Sequence, residues 1–190
     1  MVTIALIVEG FSEKIFFNSE SFKKYLSSIN INYIPEVINA EGSGNLLPHN
    51  IEEFTNTLVA KGANKVFIIT DLDLDLCVTK TKERINPSLI HHCIISKKAI
   101  EAWFLADTIT MKYYLKTSQF TCDNPEEIEN PFNEIGLHMQ KFLNRGLGNS
   151  KIKLANTLVN CGLSFQNILN HPNCNSAKYF HNKLIHYSNN

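Results

Sequence analysis

Neither sign of charge predominates in this sequence: 18 Lys and Arg stand against 18 Asp and Glu in 190 residues. That balance excludes binding of polyanions through net charge alone. It leaves room for a local basic patch, or for a metal ion that supplies positive charge at a phosphate. The five cysteines, Cys77, Cys93, Cys122, Cys161 and Cys174, form no Cys-x-x-Cys pair and no zinc-like Cys/His spacing, so they read as reduced thiols, buried or incidental. The seven histidines show no His-x-x-x-His spacing and none is assigned to catalysis. No apolar run approaches the roughly 20 residues that span a bilayer. The apolar start, residues 1–8, meets Glu9 at once and lacks a basic leader and a small-residue cleavage site. Internal repeats and low-complexity tracts are also missing. The expectation is a soluble protein of a reducing cytoplasm with no membrane partner.

What is present is an alternation of buried strands and amphipathic helices, the signature of a parallel α/β sheet. VTIALIV (2–8) reads as a strand buried on both faces. A helix capped by Ser12 is expected to run to Asn30, with Ile15, Phe16, Ser19 and 22–26 at helical spacing. A second strand fits 33–38, the turn NAEGSGN (39–45) follows, and a helix over 46–61 stops at Gly62. VFIIT (66–70) is a third strand, a helix over 79–85 precedes Pro87, and LIHHCII (89–95) is a fourth strand. KAIEAWFLA (98–106) is then a short helix that buries Trp103. Beyond about residue 108, helical pieces are broken by Pro125, Pro131, Gly136, Gly146 and Gly148. The expected organisation is an α/β domain over 1–107 and a helical extension over 108–190 packed on it.

Parallel sheets take their ligands at the carboxyl ends of the strands, and both acidic motifs stand at such ends. Glu9 follows the first strand, while Asp71 and Asp73 follow the third. Carboxylates brought together repel one another unless a cation neutralises them, and a set of hard oxygen ligands selects Mg²⁺ or Mn²⁺. Asp75 joins this set only if the chain stays extended. Glu101, flanked by Ala99, Ile100, Ala102 and Trp103, is an acid in apolar company that needs a partner. GSGN (42–45) lacks the Lys-Ser/Thr of a P-loop and reads as a plain turn.

The glutamate of LIVEG (6–10) followed by the Asp-x-Asp of IITDLD (68–73) resembles the Toprim domain, shared by topoisomerases, primases, OLD nucleases and a small ribosomal-RNA maturase. The resemblance covers about residues 1–106. It implies a Toprim/Rossmann-like parallel four-stranded sheet flanked by helices. VEGFSEK (8–14) is similar to the OLD-like and small stand-alone branches, which implies Glu13 as a further metal ligand. ISKKAIEAWFLAD (95–107) resembles a segment after the fourth strand of small Toprim-like proteins. By that resemblance Ser96, Lys97 and Lys98 stand at the carboxylate edge, one lysine neutralises charge on the pentacovalent phosphate, and Glu101 reaches a metal. The tail segments 145–158 and 171–184 also resemble the ends of those proteins. Their Arg145, Lys151, Lys153, Lys178 and Lys183 read as solvated helix faces or as contacts to a nucleic-acid backbone.

The resulting expectation is a Mg²⁺- or Mn²⁺-dependent nuclease acting on DNA or RNA, of a kind the resemblance connects with anti-phage defence. Its catalytic residues would be Glu9, Asp71, Asp73, Lys97, Lys98 and Glu101, and its metal ligands Glu9, Glu13, Asp71, Asp73 and Asp75. Two alternatives stand beside it. One is a module that binds nucleotides or nucleic acid without cutting, or a subunit that docks on an ATPase. The other is a haloacid-dehalogenase-like phosphatase, since ITDLDLD also resembles that Asp-x-Asp. Those enzymes carry the motif on their first strand, however, and Asp75 replaces their usual Thr or Val.

Overall fold

Alternation along the apolar runs sets the layers. The computed structural model describes residues 1–72, 75–85 and 91–188, with His91 and His92 described by their backbone alone. In β1 (Thr3–Val8) and β4 (Lys65–Asp71) successive side chains point to opposite faces, and nearly all of them are buried. Ile4, Leu6 and Val8, with Phe67 and Ile69, enter one core. Ala5 and Ile7, with Val66 and Ile68, enter the other. A sheet covered on both faces explains why these strands are continuous apolar runs.

The protein is α/β, with a parallel sheet flanked by helices. Among the described residues five strands are present where four were expected, because the second is split. The split strands are β2 (Asn32–Tyr33) and β3 (Ile38–Asn39), which pair with the start and the end of β1 respectively. Pro35 lies between them and has no N–H to give a ladder. On the other side of β1, β4 pairs in register Val8↔Ile69. Beyond it β5 (His91–Ser96) pairs with β4, setting Asp71 opposite Ser96. Every pairing is parallel, so the carboxyl ends of β1, β3, β4 and β5 share one edge.

The helix expected over 12–30 is two helices, α1 (Phe11–Phe17) and α2 (Glu20–Ser28). Ser19 separates them by capping the second, its hydroxyl accepting the Phe22 N–H at 3.3 Å. Ser12 is not the cap of the first; Gly10 holds that place. On the opposite face lie α3 (Pro48–Ala60), which starts on a proline at its first position, and α4 (Val78–Ile85). Gly62, at φ 96°, closes α3 as expected.

The helix expected from residue 98 starts later, as α5 (Glu101–Ala106). It leads through α6 (Thr108–Tyr114), α7 (Pro131–Leu143), α8 (Lys151–Asn160) and α9 (Phe165–Leu169) to α10 (Asn175–Ser188). These helices share the core of α1 and α2: Phe180 packs against Phe17, Phe22, Phe67 and Trp103. Two buried acids fasten the arrangement. Asp107 caps α6 and also accepts from the backbone of Ser164 and the side chain of Asn167. Glu126 accepts the N–H groups of Asn175 and Ser176 at the start of α10. Ser176 in turn receives the Trp103 indole N–H at 2.7 Å. No helix among the described residues is long and apolar enough to cross a membrane.

Candidate functional site

Among the described residues the shared carboxyl edge gathers five acids, Glu9, Glu13, Asp71 and Glu101 together with the exposed Glu41 just beyond β3. Glu9 extends β1 by one ladder bond, its N–H donating to Ile69 O at 3.1 Å. Its carboxylate Oε2 accepts the Thr70 hydroxyl at 2.5 Å and the Asp71 N–H at 3.2 Å, which fixes the side chain against the end of β4. Asp71 is the last residue of that strand and is almost fully buried. The strand register places Ser96 beside it, and the Ser96 hydroxyl donates to Asp71 Oδ1 at 2.5 Å. Glu13 enters from the first turn of α1, where the helix dipole favours an acid. Its carboxylate folds back over Gly10 so closely that a Cβ there would stand 3.1 Å from Oε2. Glu101, the first residue of α5, is fully buried.

Glu9, Glu13, Asp71 and Glu101 line one cavity of about 480 Å³, with Lys151 of α8 at its rim. Lys151 Nζ lies 3.3 Å from Glu101 Oε2, whereas Glu101 Oε1 is buried with no hydrogen-bond partner. A second cleft of about 640 Å³ adjoins the first through Glu101 and Lys151 and is lined also by Ser43, Asp75, Arg84 and Lys98.

The electrostatics follow from this crowding. Burial, more than a bond from its own backbone N–H relieves it, pushes the Glu13 carboxyl up to about 7, and the nearby Glu101 and Glu9 charges add to the shift. Burial also drives Asp71 well above the usual carboxylate range, reinforced by Glu13 and only partly offset by Ser96. For Lys151, burial opposes the ammonium charge, but Glu101, Asp71 and Glu13 outweigh it and hold the ammonium above its ordinary range.

The remaining expected residues fall elsewhere. Asp73 lies outside the described residues. Asp75 does not continue an extended chain: its N–H returns to Leu72 O at 3.0 Å, and its carboxylate turns to Arg84, 3.5 Å away in the second cleft. Lys97 and Lys98 are not on a helix. Lys98 has φ 70° in the turn before α5, pairs with Glu129 at 2.6 Å and lines the second cleft, whereas Lys97 is exposed and lines neither cleft. Lys151, read from sequence as one of several tail lysines, is the cation that reaches the acids. A signal for it was present, because a lysine in the first turn of a helix faces the positive dipole end and is unfavourable without an acidic partner.

The donors are oxygens only, which suits a hard divalent cation, and the unpartnered Glu101 oxygen is a vacant acceptor. As the side chains stand, no three His, Cys, Asp or Glu among the described residues are grouped to hold a metal ion. Each acid is instead turned to a protein partner: Glu9 to Thr70, Asp71 to Ser96, Glu101 to Lys151, and Glu13 to its own backbone. Comparisons with protein-family models, curated proteins and solved structures found no match to this chain.

Proposed function

We propose that this chain is a Mg²⁺- or Mn²⁺-dependent nuclease of Toprim type that hydrolyses phosphodiesters of DNA or RNA, as a component of anti-phage defence that works alone or with an ATPase or other subunit. The observation that carries this reading is the meeting of Glu9, Glu13, Asp71 and Glu101 on one cavity, with a buried carboxylate oxygen left unpartnered. Acids buried together raise the free energy of the metal-free fold, a cost that structure alone does not require and that a bound cation removes.

In this reading Glu9, Glu13, Asp71 and Glu101 would hold the ion; Asp73, expected from the sequence to join them, lies outside the described residues. A bound divalent ion acidifies a coordinated water and offsets the charge on a phosphate. Thr70 and the Asp71 amide orient Glu9, and Ser96 orients Asp71. Of the two lysines, Lys98 lines the adjoining cleft and would meet a phosphate oxygen by leaving Glu129, whereas Lys97 lines neither cleft.

The test is cleavage of DNA and RNA by the purified chain with Mg²⁺ or Mn²⁺. Glu9→Gln and Asp71→Asn keep the hydrogen-bond acceptors of the wild type, so the fold should persist while cleavage drops by about 10²–10³-fold or more, the scale of one lost electrostatic contact to the transition state. Wild-type protein that binds nucleic acid yet cuts neither DNA nor RNA with either metal, alone or with a partner subunit, would leave the binding-module reading in its place.

A further inference from the structure

We propose that Lys151 is a tethered counter-ion of the carboxylate cluster, which occupies the cation's role in the metal-free chain and must be displaced from Glu101 when a divalent ion enters. The inference rests on the metal-dependent reading above and adds to it what sets the metal affinity.

The first support is charge. Among the described residues, Lys151 is the one basic side chain that lines the smaller cavity together with the acids. Arg84 and Lys98 in the adjoining cleft are already engaged by Asp75 and Glu129. The second is placement. Ser150 caps α8 through the Lys153 N–H at 3.2 Å, so Lys151 is fixed at the first helical position. There its ammonium has no favourable interaction with the helix dipole to hold it. Helix α8 packs against α1, which carries Glu13, so the backbone is anchored beside the cluster while the long side chain remains half exposed.

The third support is the state of Glu101. A fully buried carboxylate that spends one oxygen on an ammonium at 3.3 Å and leaves the other without a partner is incompletely satisfied. A divalent ion offers the missing contact and a second positive charge. Lys151 stands at the junction of the two clefts, so its side chain has space to leave Glu101 without unfolding α8.

Calorimetric titration of the whole chain with Mn²⁺ alone tests this in wild type, Lys151→Gln, Lys151→Met and Lys151→Arg. Removing the competing charge should tighten Mn²⁺ binding by roughly two- to five-fold in the Gln and Met variants, the scale of a half-exposed ion pair. Arg keeps the charge and should bind as the wild type does. The metal-free Gln and Met variants should melt lower than wild type, with the deficit closed by saturating Mn²⁺. A wild type that binds no Mn²⁺ beside a Gln or Met variant that does would support the proposal in its strongest form. Unchanged or weaker binding by the Gln and Met variants, beside a wild type that binds, would overturn it and leave the metal-dependent reading intact. No binding by any of the four chains would overturn both.

Discussion

Replacing Glu13 by Gln should stabilise the metal-free protein, and only above a definite pH. Glu13 titrates at about 7 in the folded chain against an ordinary 4.5. The folded state therefore holds more protons than the unfolded state between those values, and stability falls as pH rises through the window from 4.5 to 7 and levels off beyond it. At about 1.4 kcal/mol per pH unit the full effect is about 3 kcal/mol. Asp71, raised well above its usual range, contributes with the same sign. Gln carries no charge to desolvate, and its oxygen can still accept from the residue's own backbone N–H. Its NH₂ group is a donor in a cavity that Glu101 and Asp71 also line. Thermal melts in EDTA should show the variant roughly 6–12 °C above wild type at pH 8 and no higher at pH 4, using about 2–4 °C per kcal/mol for a chain of this size. Added Mg²⁺ should narrow the gap at pH 8, since a cation offsets the charge that Gln removes. Parallel pH profiles for the two proteins, or an equal gain at both ends, would refute the argument that crowded ionisation at Glu13 costs stability.

Two further substitutions separate site from scaffold. Gly10→Ala places a Cβ 3.1 Å from the Glu13 carboxylate in a backbone conformation that alanine tolerates, so it should weaken Mn²⁺ binding several-fold in calorimetry while leaving the melting temperature unchanged or slightly raised. Unchanged affinity would show that Glu13 has room to move. Asp107→Ala strands the donors of Thr110, Ser164 and Asn167 and should cost about 3 kcal/mol in urea unfolding, yet the folded fraction should cut as fast as wild type.

The sequence made the central strands legible because a sheet covered on both faces demands unbroken apolar runs, as in β1 and β4. It made Glu101 legible for a related reason: an acid between Ile100 and Ala102 has no cheap place inside a protein unless something answers its charge. Local competition was harder to read. Ser19 can end one helix or begin another, and only the packing of Phe16, Phe17 and Phe22 decides that two short helices fit better than one long one. Pro35 divides a segment in which Tyr33, Ile34, Val37 and Ile38 are all β-favouring. Lys98 adopts a left-handed backbone with no glycine or asparagine to announce it, which turns Lys97 and Lys98 out of the helix their pattern suggested. Lys151 was obscured by distance along the chain: the acid that explains it lies fifty positions earlier and meets it only after α8 docks on α1.

The shared aromatic core has a consequence for how the chain is born. Phe17 and Phe22 find Phe180 only when α10 has been made, and Phe16 and Phe22 likewise wait for Phe165. A ribosome releasing the chain at roughly 5–20 residues per second therefore holds the amino-terminal strands and helices for several seconds with one greasy face uncovered. During that interval the nascent sheet has open strand edges and bare phenylalanines, the surface that holdase chaperones recognise and that neighbouring chains aggregate through. The clamp of Glu126 on Asn175 and Ser176 is then a late latch, closing only once the start of α10 has been made. Any nuclease site at the carboxyl edge would stay unassembled until then, because α8, which brings Lys151 to the acids, also emerges late.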